Sequence, residues 1–323
     1  MRILFMGTPD FAKESLEALF DAGFEIVGVV TNIDKPKGRG MKMQMSPVKE
    51  YAISKNLPIF QPVKVRGNTE FYEQIKALKP DLMCVVAYGK ILPQNILDIP
   101  NLGAVNVHGS LLPKYRGAAP IQWSVINGDK VTGITTMFMN AGMDTGDIIL
   151  KEEVEIGEDE TTGELWEKLS KVGANLLVKT AREIENKTAK RTPQPLEGTM
   201  APMISKEMSK INWNEITALQ IKNLVRGLNP IMGAYSMLNG KKIKFWKVDI
   251  LNKEKNLEVK EYNNNLDMAL PGTVLLANAK KGLFIKTIDG IIEILEIQGE
   301  NSRKMNIGDF LRGNKIEEGS IFE

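Results

Sequence analysis

The sequence predicts an α/β protein in two parts: a Rossmann-like domain with a mostly parallel sheet, then a small β-barrel domain of the OB type. Three observations predict this. Over Arg2–Thr31 an apolar run, a glycine turn, an amphipathic helix and a second apolar run follow one another, a βαβ unit that requires parallel strands. Periodicity then stops in the Pro-containing stretch Lys187–Pro202. Beyond it come one helix and five short β-rich runs, the pattern of a compact barrel. A chain of 323 residues also fits two domains of ~100–200 residues each. The expected boundaries are 1–188 for the first domain, 189–203 for a linker and 204–323 for the second.

Arg2–Met6 is short and almost continuously apolar, as a strand buried on both faces is, and Gly7-Thr8-Pro9-Asp10 ends it. Phe11, Ala12, Leu16, Leu19 and Phe20 recur at helical spacing, and Gly23 closes that helix. Glu25–Thr31 is the second strand. Asn32–Met45 reads as a long loop in which Lys35, Lys37, Arg39 and Lys42 interleave with Gly38 and Gly40. Ser46-Pro47 opens a helix, because serine is a good N-cap and proline suits the first helical position. Further strands are expected at Pro58–Phe60, Leu82–Ala87, Ala104–Val107, Gly133–Met139 and Ile148–Val154, with helices at Glu70–Lys79, Pro120–Asn127 and Thr162–Glu185. The last carries the stripe Leu165, Leu169, Val172, Leu176. Pro193, Pro195 and Pro202 fix φ and remove backbone donors, which makes their segment a semi-rigid linker. The second domain is expected to hold a helix over Glu215–Gly227 and strands at Ala234–Leu238, Ile243–Asp249, Gly272–Ala277, Gly282–Lys286 and Ile291–Ile297, with Leu251–Asp267 a polar loop.

Hydrophobic residues at 43% and charged residues at 25% are ordinary for a soluble globular chain. The apolar run before Gly7 is too short for a signal peptide, and no stretch approaches the ~20 apolar residues of a membrane span. A cytoplasmic protein with no membrane partner is expected. With one cysteine and one histidine, an internal disulfide is impossible and a His/Cys zinc site lacks its three or four ligands. Cys84, inside an apolar run, reads as a small buried hydrophobe. Net charge is only +2, so the whole chain is no basic coat for nucleic acid. The stretch Ile204–Gly313 nevertheless carries an excess of Lys and Arg, the footprint of a part that meets a polyanion.

The chemically densest stretch is Asn106–Gly117 (NVHGSLLPKYRG), which begins where a predicted strand ends. Open parallel sheets bind ligands beyond such ends. Asn106 and His108 are two apart and share a strand face. Gly109 leaves room for a ligand beside the histidine. Gly142–Asp147 follows another strand, and its glycines make a turn able to present Asp144 to the same edge. An amide, an imidazole and a carboxylate suit transfer of an acyl group to an amine, where an oxyanion develops and a proton must leave. Singly, each residue has an ordinary structural explanation. Their joint placement points to chemistry and leaves the reaction class open. Gly7-Thr8-Pro9-Asp10 lacks the full dinucleotide and P-loop patterns and reads as a tight strand-to-helix connection.

Asn106–Gly117, continued by Ala118-Ala119-Pro120-Ile121-Gln122, resembles the signature of folate-dependent formyltransferases, and the spacing to Asp144 fits. The resemblance implies Asn106, His108 and Asp144 as the catalytic set, and 10-formyltetrahydrofolate as co-substrate with no metal. It places Val86, Tyr88, Gly89, Ile91 and Leu92 along a folate pocket with Ser110, Leu111, Leu112 and Pro113, and puts Met139 and Met143 on its other side. Narrower features resemble the members that formylate initiator methionyl-tRNA. These are the opening Gly7–Ala12, the basic loop ending in Ser46-Pro47-Val48, the linker Arg191–Pro195, and Ile211-Asn212-Trp213 with Arg226–Pro230. This implies that Arg39, helped by Lys35, Lys37 and Lys42, meets the acceptor end of the tRNA. Lys206, Lys210, Lys241, Lys242, Lys244 and Lys247 would meet stem phosphates. Trp213 and Trp246 are expected to pack in a core, and the protein to be a monomer. The similarity covers nearly the whole chain and is weakest over Leu251–Asp267. Gly109 stands where alanine is common, Lys114-Tyr115 where Arg-Trp is, Met143 where leucine is, and Met203 where lysine is expected. The trio is intact.

A formyltransferase for a small amine (glycinamide ribonucleotide or an amino sugar) would use the same trio, and a folate hydrolase would replace the amine with water. Both leave the basic loop and basic second domain idle. A non-enzymatic RNA-binding protein leaves the trio without a reason. A nicotinamide dehydrogenase fits the α/β pattern but lacks the glycine fingerprint.

Overall fold

The computed structural model describes residues 1–37, 42–251 and 268–323. They form two compact units. The first comprises Met1–Ile121, Val131–Glu155 and Leu165–Pro202; the second comprises Gln122–Lys130, Ile156–Glu164 and Met203–Glu323. The second unit thus takes in two segments that precede the Pro-containing stretch.

In chain order the elements up to that stretch are β1 (Arg2–Gly7), α1 (Asp10–Asp21), β2 (Glu25–Val30), β3 (Lys35–Lys37), β4 (Lys42–Gln44), α2 (Pro47–Ser54), β5 (Ile59–Phe60), α3 (Thr69–Ala77), β6 (Leu82–Val86), α4 (Gln94–Leu97), β7 (Ala104–His108), α5 (Pro120–Ile126), β8 (Val131–Phe138), β9 (Ile148–Glu155) and α6 (Thr162–Glu185). Seven strands form one sheet in the order β5-β2-β1-β6-β7-β8-β9. The first five are parallel; β8 runs antiparallel to β7, and β9 to β8. The predicted mostly parallel sheet is therefore present. Its central strands are apolar throughout because helices cover both faces: Ile3, Leu4, Phe5 and Met6 have no exposed surface, nor do Leu82, Met83 and Cys84. Burial raises the Cys84 thiol far above its ordinary range, as an inert core residue requires. Local signals act as read: Ser46 accepts from Lys49 N at 3.1 Å to cap α2, and Gly23 leaves α1 with φ +81°. On α6, Leu165, Leu169 and Leu176 are buried, and Gly173 lets the helix close on β7, since a Cβ there would lie 3.1 Å from Val107 Cγ1.

The predicted loop Asn32–Met45 is instead built on a hairpin. β3 and β4 pair antiparallel, Lys35 opposite Gln44 and Lys37 opposite Lys42. A strand of Lys-Pro-Lys shows neither alternation nor β-branched residues, so the sequence held no strand signal there. Residues 38–41, Arg39 among them, lie outside the described residues, as do the side chains of Lys37 and Lys42 and nearly all of Leu251–Asp267.

The second unit holds a 3₁₀ turn (Glu207–Ser209), α7 (Ala218–Gly227), β10 (Ala234–Leu238), β11 (Lys241–Ile250), β12 (Val274–Asn278), β13 (Gly282–Lys286), β14 (Ile291–Gln298), β15 (Met305–Asn306) and α8 (Ile307–Gly313). The strands form an antiparallel sheet in the order β10-β11-β14-β13-β12, with β15 on β14. This is consistent with the OB-like expectation; among the described residues β10 and β12 are the two ends of the order. Trp213, Ile221, Phe245, Ile285, Ile294 and Phe322 pack in its core. Helix α7 begins at Ala218, not Glu215, because Thr217 and Gln220 form a reciprocal capping box.

Candidate active site

Strand β7 ends at the carboxyl edge of the parallel strands and sets two polar side chains there. Asn106 lies opposite Val85 of β6 and Met137 of β8, and His108 lies opposite Thr135. The histidine is 5% exposed. Its Nε2 is 2.8 Å from the Tyr115 carbonyl oxygen, which only accepts, so Nε2 carries a proton. Its Nδ1 faces Asp144 Oδ2 at 3.6 Å, beyond hydrogen-bond length and within reach of an ion pair. The half-buried Asn106 amide makes no hydrogen bond among the described residues.

Asp144 reaches this site by an indirect route. Because β8 is antiparallel, Phe138 pairs with Val105 and Met139 N donates to Ala104 O at 2.8 Å. The turn after β8 thus starts at the far end of β7 and returns toward His108, so that Asp144 is presented at the edge where the sequence placed it. Gly117 N donates to Asp144 Oδ2 at 2.8 Å and fixes the carboxylate. Asp144 itself is left-handed, φ +52°, and a Cβ on Gly146 would collide with the Phe138 carbonyl.

The stretch after His108 is pinned throughout. Thr135 Oγ1 donates to Ser110 O at 2.7 Å and accepts from Leu112 N at 3.1 Å. Ser110 Oγ donates to Lys114 O at 2.5 Å, and Lys151 Nζ donates to Leu112 O. The room at Gly109 is filled by Ile121, whose Cγ1 would sit 2.8 Å from an added Cβ. That glycine serves core packing, contrary to the expectation of ligand space.

The Pro-containing segment is also held along its length. Thr192 exchanges two backbone hydrogen bonds with Ile148, at 2.8 and 2.9 Å. Arg191 lies over the Phe138 ring at 3.7 Å. The buried Arg116 donates to Gln194 Oε1, Pro195 O and Leu196 O. Gln194 Nε2 donates to Asp144 O at 3.0 Å and Gly146 O at 2.8 Å, and Tyr115 N donates to Thr199 Oγ1 at 2.8 Å. Sequence reasoning named none of Tyr115, Gly117, Gln194 or Thr199 as site residues. Tyr115 and Gly117 act through backbone groups, which leave no residue-type signal.

The residues assigned to a folate pocket separate into two sets. Val86, Tyr88, Leu92, Ser110 and Leu112 are buried, and Tyr88, Leu92 and the partly buried Met139 belong to the core cluster around Leu4 and Met83. Gly89, Ile91 and Met143 are exposed, and Leu111 and Pro113 are half-buried. The Tyr88 hydroxyl is buried without a hydrogen-bond partner, and burial pushes its phenol up to about 12, so it stays protonated as a donor.

The basic residues also divide. Lys35 is exposed; burial first, then the charge of Lys35, lowers the pKa of Lys90, whose Nζ donates to Pro62 O at 2.7 Å. In the second unit Lys206, Lys210, Lys241 and Lys247 are exposed. Lys242 Nζ lies 3.5 Å from the Tyr235 ring centroid. Lys244 is half-buried and donates to Met232 O at 2.7 Å; burial first, then Lys242, lowers its pKa. Trp213 and Trp246 are buried and donate to Ser236 Oγ and Gln298 Oε1, as core residues do.

An open sheet with an amide, an imidazole and a carboxylate drawn to one strand end has the make-up of an α/β group-transfer enzyme. Residues 1–181 match the family model described as "Formyl transferase", and residues 203–315 the one described as "Formyl transferase, C-terminal domain". The chain is 50% identical over 322 residues to a methionyl-tRNA formyltransferase of Acetivibrio thermocellus, with 99% of each chain covered. It is 47% identical over 320 residues to one of Ruminiclostridium cellulolyticum, with 99% and 98% covered. The chain belongs to the formyl transferase family, among the methionyl-tRNA formyltransferases. Among solved structures, an N-formyltransferase from Helicobacter canadensis in complex with folinic acid and dTDP-3-aminofucose aligns with TM-score 0.65 at 20% identity, covering 92% of this chain and 98% of that one. HypX from Aquifex aeolicus in complex with tetrahydrofolic acid aligns with TM-score 0.62 at 17% identity, over 100% of this chain and 51% of that one, so the chain spans about half of HypX. At those identities the likeness is one of fold.

Proposed function

We propose that this protein transfers the formyl group of 10-formyltetrahydrofolate to the free amino group of methionyl-initiator tRNA, giving N-formylmethionyl-tRNA for translation initiation. The observation that carries the acceptor is the 50% identity to a methionyl-tRNA formyltransferase along 99% of both chains. It acts as a monomer in the cytoplasm.

In the reaction the amine attacks the formyl carbon, a C–N bond forms, and the carbonyl electron pair moves onto oxygen. The Asn106 amide, unspent among the described residues, donates to that oxyanion. Tyr115 holds His108 at Nε2, and the other ring nitrogen, 3.6 Å from Asp144 and so not committed to it by a hydrogen bond, is left to serve as the second donor. Asp144 spends Oδ2 on Gly117 and keeps Oδ1 without a partner among the described residues, where it accepts the proton lost by the attacking amine. Collapse of the intermediate breaks the bond from carbon to folate N10, which takes up the proton held by Asp144. Exposed Ile91 and Met143 and half-buried Leu111 and Pro113 are apolar candidates for folate contact, and the Tyr88 hydroxyl is a donor in want of an acceptor. Lys35, Lys37, Arg39 and Lys42 meet the acceptor end of the tRNA. Lys206, Lys210, Lys241, Lys242 and Lys247 meet its stem, while Lys244 supports the sheet.

The test is incubation with 10-formyltetrahydrofolate and methionyl-tRNA, with free methionine and glycinamide ribonucleotide in parallel, read by mass spectrometry. Formyl-methionine on tRNA alone is expected. Formylation of a small amine would overturn the acceptor, and folate consumption without any formylated product would overturn the transfer.

A further inference from the structure

His108 is held by two protein groups, the Tyr115 carbonyl at Nε2 and the Asp144 carboxylate facing Nδ1. Both trace to the segment between the two family-matched regions. Thr199 Oγ1 accepts from Tyr115 N at 2.8 Å, while Thr199 O accepts from Arg116 N at 2.8 Å and Ala201 N donates to Arg116 O at 2.7 Å. Gln194 Nε2 reaches two carbonyls of the Asp144 turn, Asp144 O at 3.0 Å and Gly146 O at 2.8 Å. The orientation of this amide follows from its partners. Arg116 can only donate and so faces Oε1, and carbonyl oxygens can only accept and so face Nε2. Since Asp144 is left-handed and follows exposed Gly142 and Met143, its turn has few apolar contacts of its own to hold it.

We propose that Gln194 and Thr199 are positioning residues for the catalytic site: Gln194 sets the Asp144 turn at one nitrogen of His108, and Thr199 sets the Tyr115 carbonyl at the other. The proposal rests on His108 and Asp144 being the catalytic pair. Neither residue touches substrate. Each acts through the backbone of a group that touches the imidazole, and a displacement of an ångström at reacting groups is enough to cost ~10²-fold in rate.

The experiment compares untagged wild type with Gln194→Glu, Thr199→Val and Thr199→Ser, and with His108→Ala and Asp144→Asn as controls. Glutamate at 194 keeps an acceptor for Arg116, so the segment stays anchored, and loses the donors to the turn. The chain has one histidine, so the imidazole nitrogen resonances in ¹⁵N NMR report His108 without assignment. Gln194→Glu and Thr199→Val are expected to lower kcat ~10- to 100-fold with KM for methionyl-tRNA little changed, and any fall in melting temperature, as from the Tyr115 N–H that valine leaves unpaired, is expected to leave the protein folded at the assay temperature. Both are expected to shift the His108 nitrogen resonances, and Thr199→Ser to restore rate and resonances. Wild-type rate and unchanged resonances in Gln194→Glu and Thr199→Val, while His108→Ala and Asp144→Asn are inactive, overturn the positioning roles alone. Loss of melting temperature in step with rate, with resonances unmoved, also overturns them in favour of a purely structural segment. Full rate in His108→Ala and Asp144→Asn overturns the underlying assignment instead.

Discussion

The stretch from His108 to Gly117 and the β3–β4 hairpin both follow strands of the parallel set, yet they are built in opposite ways. In the first, the polar groups are spent on the protein: Ser110 on Lys114, Thr135 on Ser110 and Leu112, Arg116 on the Pro-containing segment, Gly117 on Asp144. The hairpin is held at its base, where Thr31 and Ser46 hydroxyls meet at 2.8 Å and Asp34 takes Lys49 at 2.7 Å and Gln61 at 3.0 Å, and its Lys35 is exposed. Acyl transfer needs atoms fixed to a fraction of an ångström. Binding a polyanion needs charge on an accessible arm. The first region is anchored as the proposed chemistry requires, and the second leaves Lys35 exposed as the proposed tRNA contact requires.

That contrast breaks most sharply at Asn106 and His108. His108→Ala is expected to lower the single-turnover formylation rate by ~10²–10³, the cost of one oxyanion donor. It should also lower stability, because the buried Tyr115 carbonyl loses its partner at ~1–3 kcal/mol. Asn106→Ala is expected to lose a similar ~10²–10³ in rate with no loss of melting temperature, since its amide has no partner among the described residues. Quench-flow rates beside thermal melts separate the two. Near-normal rates in both variants would remove the trio from the mechanism.

Sequence made the rigid region legible by residue type and the arrangement around it invisible. Asn106 and His108 could be placed on one strand face because a strand alternates. The apolar runs of β1, β2, β6 and β7 read directly as a parallel sheet because they are buried on both faces. Asp144 was expected at the His108 edge and lies there, 3.6 Å from Nδ1, but the route it takes was not legible, since nothing in Gly133–Phe138 says that β8 runs antiparallel. Tyr115 was invisible because its carbonyl meets the ring, and any residue supplies a carbonyl. The hairpin was missed because lysine and proline carry no strand signal, although the composition that hid its fold announced its charge. Helix α8 and strand β15 are too short to show a period.

Charge sharpens the comparison next. Lys35→Ala is expected to weaken tRNA binding and to lower the salt slope of log Kd by ~1, as loss of one phosphate contact does, while kcat at saturating tRNA stays close to wild type. Lys244→Ala should do the reverse. Its ammonium is already committed to Met232 O and lies 5.5 Å from the Trp246 ring centroid, so its removal costs ~1 kcal/mol of stability and leaves the salt slope unchanged. Filter binding across a salt series, with melts of both variants, checks the pair. A reduced salt slope for Lys244→Ala would return it to the tRNA surface.

The smallest effect concerns how the hairpin is rooted. Lys49 first, then Gln61, holds the Asp34 carboxyl below its ordinary value of 3.8. A carboxylate with a lowered folded pKa stabilises the protein fully above its unfolded pKa, and that contribution is lost as pH falls through the folded value. Asp34→Asn keeps the shape and removes the charge, so its melting temperature should fall slightly below wild type at pH 7, and the gap should close as both are titrated below the ordinary carboxylate range. The contact is solvent-accessible, so added salt should also narrow the gap at pH 7. A gap that persists unchanged in acid would mean that the amide disturbs packing, and no gap at any pH would mean that the Thr31–Ser46 pair holds the base of the hairpin without Asp34.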